Sequence, residues 1–147
     1  MLMKKHIVAA FYVALLALTA ACGKNPGGDY VITQEDLLHH RFVLVSSDGK
    51  NFSAKERIPA IEFNEGLRVS GVVCNRFTGQ GRLAGNVLAV DQLASTKMLC
   101  ADPDLNELEN LLTRMLSEGA ELRIEGADLA VRQGGHELLY KISDWVR

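Results

Sequence analysis

Three cysteines, two adjacent histidines and two acids around a proline are the residues of this 147-residue chain best suited to chemistry. Cys22 stands behind an apolar stretch, whereas Cys74 and Cys100 form an even pair in the body of the chain. In an oxidising compartment such a pair reads as a disulfide, with a reactive thiol or a metal pair as the alternatives. Neither cysteine has a histidine near it in sequence that would draw off its proton. His39 and His40 are neighbours, which on a helix point about 100° apart, whereas metal pairs use three- or four-residue helical spacing or alternate strand positions. Asp102 and Asp104 flank Pro103, where acids favour a helix start over a calcium loop. No serine sits in a Gly-x-Ser-x-Gly elbow, and no glycine-rich phosphate loop occurs. The expectation is a protein with no catalytic residue, no metal and no cofactor.

The first 21 residues read as a signal for export, with a membrane anchor or a signal cut elsewhere as the alternatives. Lys4 and Lys5 give a positive start, Ile7 to Leu18 an uncharged apolar run, and Thr19-Ala20-Ala21 small residues before Cys22. The run is too short to be a comfortable bilayer span. Small residues directly before a cysteine resemble the lipobox of bacterial lipoproteins, although Thr19 stands where leucine is usual. That resemblance implies a diacylglycerol on the Cys22 thiol and a further acyl chain on its amino group. Each buried methylene contributes about 0.8 kcal/mol, so several chains hold firmly. Gly23 to Gly28 then form a flexible tether, placing residues 22–29 outside the folded part. Gly23 after the cysteine, rather than Asp, resembles the signal for the outer membrane, so the expected location is its periplasmic face.

Residues 30–147 are expected to fold as one domain. Acids number 18 and bases 16, mixed along the chain without the basic stripe of a nucleic-acid binder. Thr33 and Asp36 suggest a capping box on a short helix. Phe42 to Val45, then Ile61 and Phe63, then Leu67 to Val73 read as strands, the last two separated by an Asn64-Glu65-Gly66 turn. Gly79-Gln80-Gly81 and Gly85-Asn86 read as turns between short strands. Asp102 caps a long helix with Pro103 at its first position, an apolar stripe from Leu105 to Leu116, and Gly119 as its stop. Three more strands follow, over 122–125, 129–132 and 137–142. The fold class is α+β, mainly antiparallel: a small meander or barrel-like sheet with one packed helix.

Two segments carry a family resemblance. Gly71-Val72-Val73-Cys74-Asn75-Arg76-Phe77-Thr78-Gly79 and Leu93-Ala94-Ser95-Thr96-Lys97-Met98-Leu99-Cys100, in this order and spacing, resemble the META domain family. The start His39-His40-Arg41-Phe42 and Asn106-Glu107-Leu108 in the helix agree with it, and the likeness runs over nearly all of 30–142. The resemblance implies a compact barrel-like domain with a packed helix, in bacterial envelope proteins tied to heat and antibiotic stress. It implies no known reaction.

Read physically, Gly71 and Gly79 suit a strand bend or a left-handed backbone. Asn75 suits a turn after Cys74, Phe77 the core, and Met98 a gap beside it. Thr96 can hydrogen-bond across the two segments. The same motif is also a candidate binding surface, with Asn75, Arg76, Thr96 and Lys97 as its polar groups. The expected function is a non-enzymatic envelope lipoprotein, held to the membrane through Cys22 and acting through an envelope protein partner. The alternative is a carrier whose barrel holds a lipid or other hydrophobic molecule.

Overall fold

A computed structural model describes residues 30–53 and 57–144. The leader, Cys22 and the tether lie outside the described residues. Nine strands follow one another: β1 (Arg41–Ser47), β2 (Lys50–Asn51), β3 (Ala60–Asn64), β4 (Arg68–Val72), β5 (Arg76–Ala84), β6 (Val87–Ser95), β7 (Ala120–Glu125), β8 (Asp128–Gln133) and β9 (His136–Ile142). One helix, α1 (Pro103–Glu118), connects β6 to β7. All pairings are antiparallel between sequence neighbours, except that β1 pairs with β3 on one side and β9 on the other. Eight strands therefore close a barrel, and β2 is a short hairpin return on the end of β1.

Closure follows from alternation. In β1, Phe42, Leu44 and Ser46 are buried while their neighbours are exposed or half-buried, and β5 and β9 alternate likewise. Phe42, Phe63, Tyr140, Leu122 and Leu129 lie in one contiguous core. Phe42 and Phe63 meet edge to face, with ring centroids 5.8 Å apart. The apolar stripe of α1 joins the same core through Leu105, Leu108, Leu112, Met115 and Leu116. Its start is fixed by Asp102, whose carboxylate accepts the Asp104 amide at 3.0 Å, and by Pro103 in the first turn. Leu111, on the edge of the stripe, is only half-buried.

The barrel is thinnest between β6 and β7, where only Val87↔Glu121 and Leu88↔Ala120 pair. Asn86, in the β5–β6 turn, takes over beyond that point. Its side chain accepts the Ile32 amide at 2.8 Å and donates to the Tyr30 carbonyl at 2.9 Å, and its own carbonyl accepts the Leu122 amide at 2.7 Å. A side-chain amide here does the work of a strand residue. The chain thus joins the barrel at the end where β5 turns into β6.

Three sequence expectations change. Gly79-Gln80-Gly81 is no turn but the middle of β5, which runs unbroken from Arg76 to Ala84. A Cβ at Gly79 would lie 2.5 Å from Val90 Cγ1, and one at Gly81 2.6 Å from the Leu67 carbonyl oxygen. The glycines permit close approach of backbone to backbone, and neither needs a left-handed φ. Second, Gly71 is likewise a packing glycine, facing the Ala60 carbonyl and the Phe77 ring. Third, the short helix after Thr33 is a single 3-10 turn, Gln34–Asp36, with the Asp36 carboxylate accepting the Thr33 amide at 2.7 Å. Among the described residues, no helix is long and apolar enough to cross a membrane.

Candidate functional site

The two motif segments converge on Asn75, which is only 5% exposed. β4 ends at Val72 and β5 begins at Arg76, so residues 73–75 turn the corner beside the end of β6. Asn75 Oδ1 accepts from Thr96 Oγ1 at 2.8 Å and from the Met98 amide at 2.6 Å. Its Nδ2 donates to the Met98 carbonyl at 3.1 Å and to Glu109 Oε1 at 2.9 Å. A side-chain amide has two donors and two acceptor lone pairs, and all four are used. Thr96 Oγ1 also accepts the Arg76 amide at 3.2 Å.

Glu109 completes the hub from α1. Its Oε2 accepts the amides of Cys74 at 3.1 Å and Asn75 at 2.6 Å. Bonds to a carboxylate are roughly twice as strong as neutral ones, and Glu109 makes three. Glu109 lies outside both motif segments, although the sequence carries its signal. Leu105, Glu109, Leu112 and Leu116 fall on one helical face, so an acid interrupts an apolar stripe and needs donors waiting for it. Cys74 and Cys100 are joined as a disulfide with Cα atoms 5.9 Å apart. Arg57 Nη1 donates to the Cys74 carbonyl at 3.1 Å, and Asn106 Nδ2 to the Cys100 carbonyl at 3.1 Å.

The four polar residues of the candidate surface thus divide. Asn75 and Thr96 hydrogen-bond within the fold, whereas Arg76 and Lys97 project into solvent. Met98 does not fill a core gap. Its backbone is held by Asn75 and its side chain is 56% exposed, because fixing the main chain on the barrel end turns the side chain outward.

An open cleft of about 660 Å³ lies elsewhere, between the β1–β2 hairpin and α1. Phe52, Leu108 and Leu111 contribute apolar lining; Lys50, Arg114 and Glu107 contribute charges. At its rim, Asp48 accepts the Glu137 amide and contacts His136 Nδ1, both at 2.8 Å. The Glu137 amide first and His136 second hold the Asp48 carboxyl below the usual aspartate range. Among the described residues, no three His, Cys, Asp or Glu side chains gather as metal ligands would.

The META domain model matches residues 35–145, which include both motif segments, the helix and every barrel strand. The chain belongs to the META domain family. Within that family it is 44% identical over 142 residues to the heat shock protein HslJ of Escherichia coli strain K12, covering 97% of this chain and 98% of that one. A structure solved by NMR superposes with a TM-score of 0.72 at 42% identity, over 77% of this chain and 97% of the other. A second NMR structure, from Burkholderia xenovorans, gives 0.61 at 18% identity, over 82% and 98%, and shows the META fold alone. In this META domain, then, the most distinctive polar residues of the motif bond to one another.

Proposed function

We propose that this META protein is a non-enzymatic envelope lipoprotein, anchored through acyl chains on Cys22 at the periplasmic face of the outer membrane. It supports the cell under heat and antibiotic stress by contact with an envelope protein. The observation that carries this reading is the mutual hydrogen bonding of Asn75 and Glu109. Asn75 has every donor and acceptor used and Glu109 accepts three bonds, so together they hold a surface in shape. The cleft between the β1–β2 hairpin and α1 offers a concave face for a partner segment, with apolar lining and charges of both signs, Lys50 and Arg114 beside Asp48, Asp104 and Glu107. The heat shock name belongs to the relative and supports the stress assignment by kinship.

The carrier alternative needs a hollow interior. Tyr140, Phe42, Phe63 and Leu122 occupy that space as side chains of 0–1% exposure, which favours the contact reading.

A photoreactive side chain at Asn110, which is exposed on the cleft, tests the partner in living cells. One discrete protein adduct, lost in Arg114→Glu, is expected. Silence from both Asn110 and Lys50 positions would remove the cleft as the contact face. The mass of the Cys22 peptide separately tests the anchor.

A further inference from the structure

We infer that the Lys97-Met98-Leu99 loop, with the cations around it, is a second membrane contact that docks the barrel end on an anionic phospholipid surface. Leu99 is 98% exposed and Met98 56%. The loop cannot hide them. Asn75 fixes Met98 through both its amide and its carbonyl, and the disulfide fixes Cys100. Leu99 is therefore displayed between two anchored neighbours as a preformed knob. A convex knob needs a partner that yields around it, and a bilayer does so without a complementary pocket.

Charge points to the same partner. Arg123 and Arg132 pair with Glu125 and Glu137, and Arg82 with Asp91, whereas Lys50, Arg68 and Arg114 form no ion pair with a described residue. At the loop, Arg57, Arg76 and Lys97 are exposed and none forms an ion pair with a described residue. Arg57 is set beside the disulfide by its bond to the Cys74 carbonyl, and Arg76 and Thr96 bind each other's backbone at the root of the loop. The next acid along the chain, Asp102, is turned to the start of α1. Apolar side chains beside cations that form no ion pair with a described residue match lipid phosphates above acyl chains.

The reach of the chain allows this contact on the membrane that holds Cys22, taking that anchor from the proposed function. Tyr30 sits by Asn86, at the opposite end of β5 and β6 from the loop. Nine strand residues span about 30 Å, or about 23 Å along the axis at ordinary barrel tilt. Eight tether residues reach about 26–29 Å when extended. The tether is long enough for the far end of the barrel to touch the bilayer.

The test uses the chain isolated from membranes and reconstituted in phosphatidylethanolamine vesicles with roughly a quarter phosphatidylglycerol, their acyl chains brominated. Trp145→Phe removes the single tryptophan, and Leu99→Trp reports from a site with no packing to lose. Emission from the Leu99→Trp chain should fall about twofold against unbrominated vesicles, while Val87→Trp, at the opposite end of β6, should not change. Arg76→Glu with Lys97→Glu should abolish the quenching, leaving Arg57 in its structural bond. Emission from position 99 that bromine leaves unchanged, or quenching that survives charge reversal, overturns the inference. So does a position 99 shielded from iodide only when envelope proteins are added, which would give the loop to a protein. The Cys22 peptide mass from the same sample tells failure of the anchor apart from failure of the loop.

Discussion

Glu109 grips Asn75 at two points, its Oε1 at 2.9 Å from the side-chain Nδ2 and its Oε2 at 2.6 Å from the backbone amide. The two residues are 34 positions apart, one in α1 and one at the corner between β4 and β5. This pair ties the helix to the barrel end, and it makes the motif asparagine irreplaceable by its own isostere. Asn75→Asp keeps the shape but turns both donors into acceptors, facing Glu109 Oε1 and the Met98 carbonyl. A loss of roughly 2–4 kcal/mol is expected in urea unfolding, because a buried charge would face two acceptors. Stability equal to the parent would mean that the amide is not read in this orientation.

Gly71→Ala should cost about 1–3 kcal/mol. The new methyl would collide with the Ala60 carbonyl and lie 2.5 Å from Phe77 Cζ, and only the ring can move. Pairing the change with Phe77→Leu should recover part of the loss. An additive double variant in thermal unfolding would argue against the contact.

Tyr140 is a different case. Its hydroxyl is fully buried in the core with no hydrogen-bond partner among the described residues, and burial pushes its pKa far above the ordinary tyrosine value. Tyr140→Phe removes an unsatisfied polar group at constant shape, so stability should hold or rise by about 1 kcal/mol. A fall of several degrees in melting temperature would reveal a bonded hydroxyl.

Acid should loosen the seam between β1 and β9. At one end Asp144 accepts the Arg41 amide at 3.1 Å and contacts His40 Nδ1 at 2.7 Å; at the other, Asp48 binds the Glu137 amide and His136 in the same way. These bonds, the backbone amide first in each case, hold both carboxyls below the usual aspartate value. A depressed carboxyl stabilises the fold above its unfolded pKa and ceases to do so as pH falls through the folded one. The gap between wild type and Asp48→Asn/Asp144→Asn should therefore be full at neutral pH and close below about pH 4. Melting curves across that range check it, and a gap that persists at low pH would assign the effect to shape.

The helix is legible in the sequence because its signals are local: a capping acid, a proline in the first turn, an apolar stripe and a terminal glycine. The strand turns at Gly85-Asn86 and Gly126-Ala127 are legible for the same reason. The middle of β5 is not. Glycine marks both a turn and a place where two backbones nearly touch, and only the tertiary neighbours of Gly79 and Gly81 separate the two. Met98 misleads because a thioether looks alike whether it fills a gap or faces solvent. Thr96 is legible as a bridge between the motif segments, whereas Glu109, the residue that completes the hub, has no visible partner in sequence.

The pairing of β1 with β9 governs the order in which this molecule can assemble. The first long strand finds its closing neighbour only in the last, through contacts such as Phe42↔Ile142. Until that final segment arrives, any partly made chain keeps an unpaired edge and an incomplete interior. A polypeptide delivered N-terminus first therefore cannot close its barrel before delivery is nearly finished. If the chain is exported as proposed, late closure keeps it threadable for as long as threading lasts, and it leaves truncated products conspicuous to proteases.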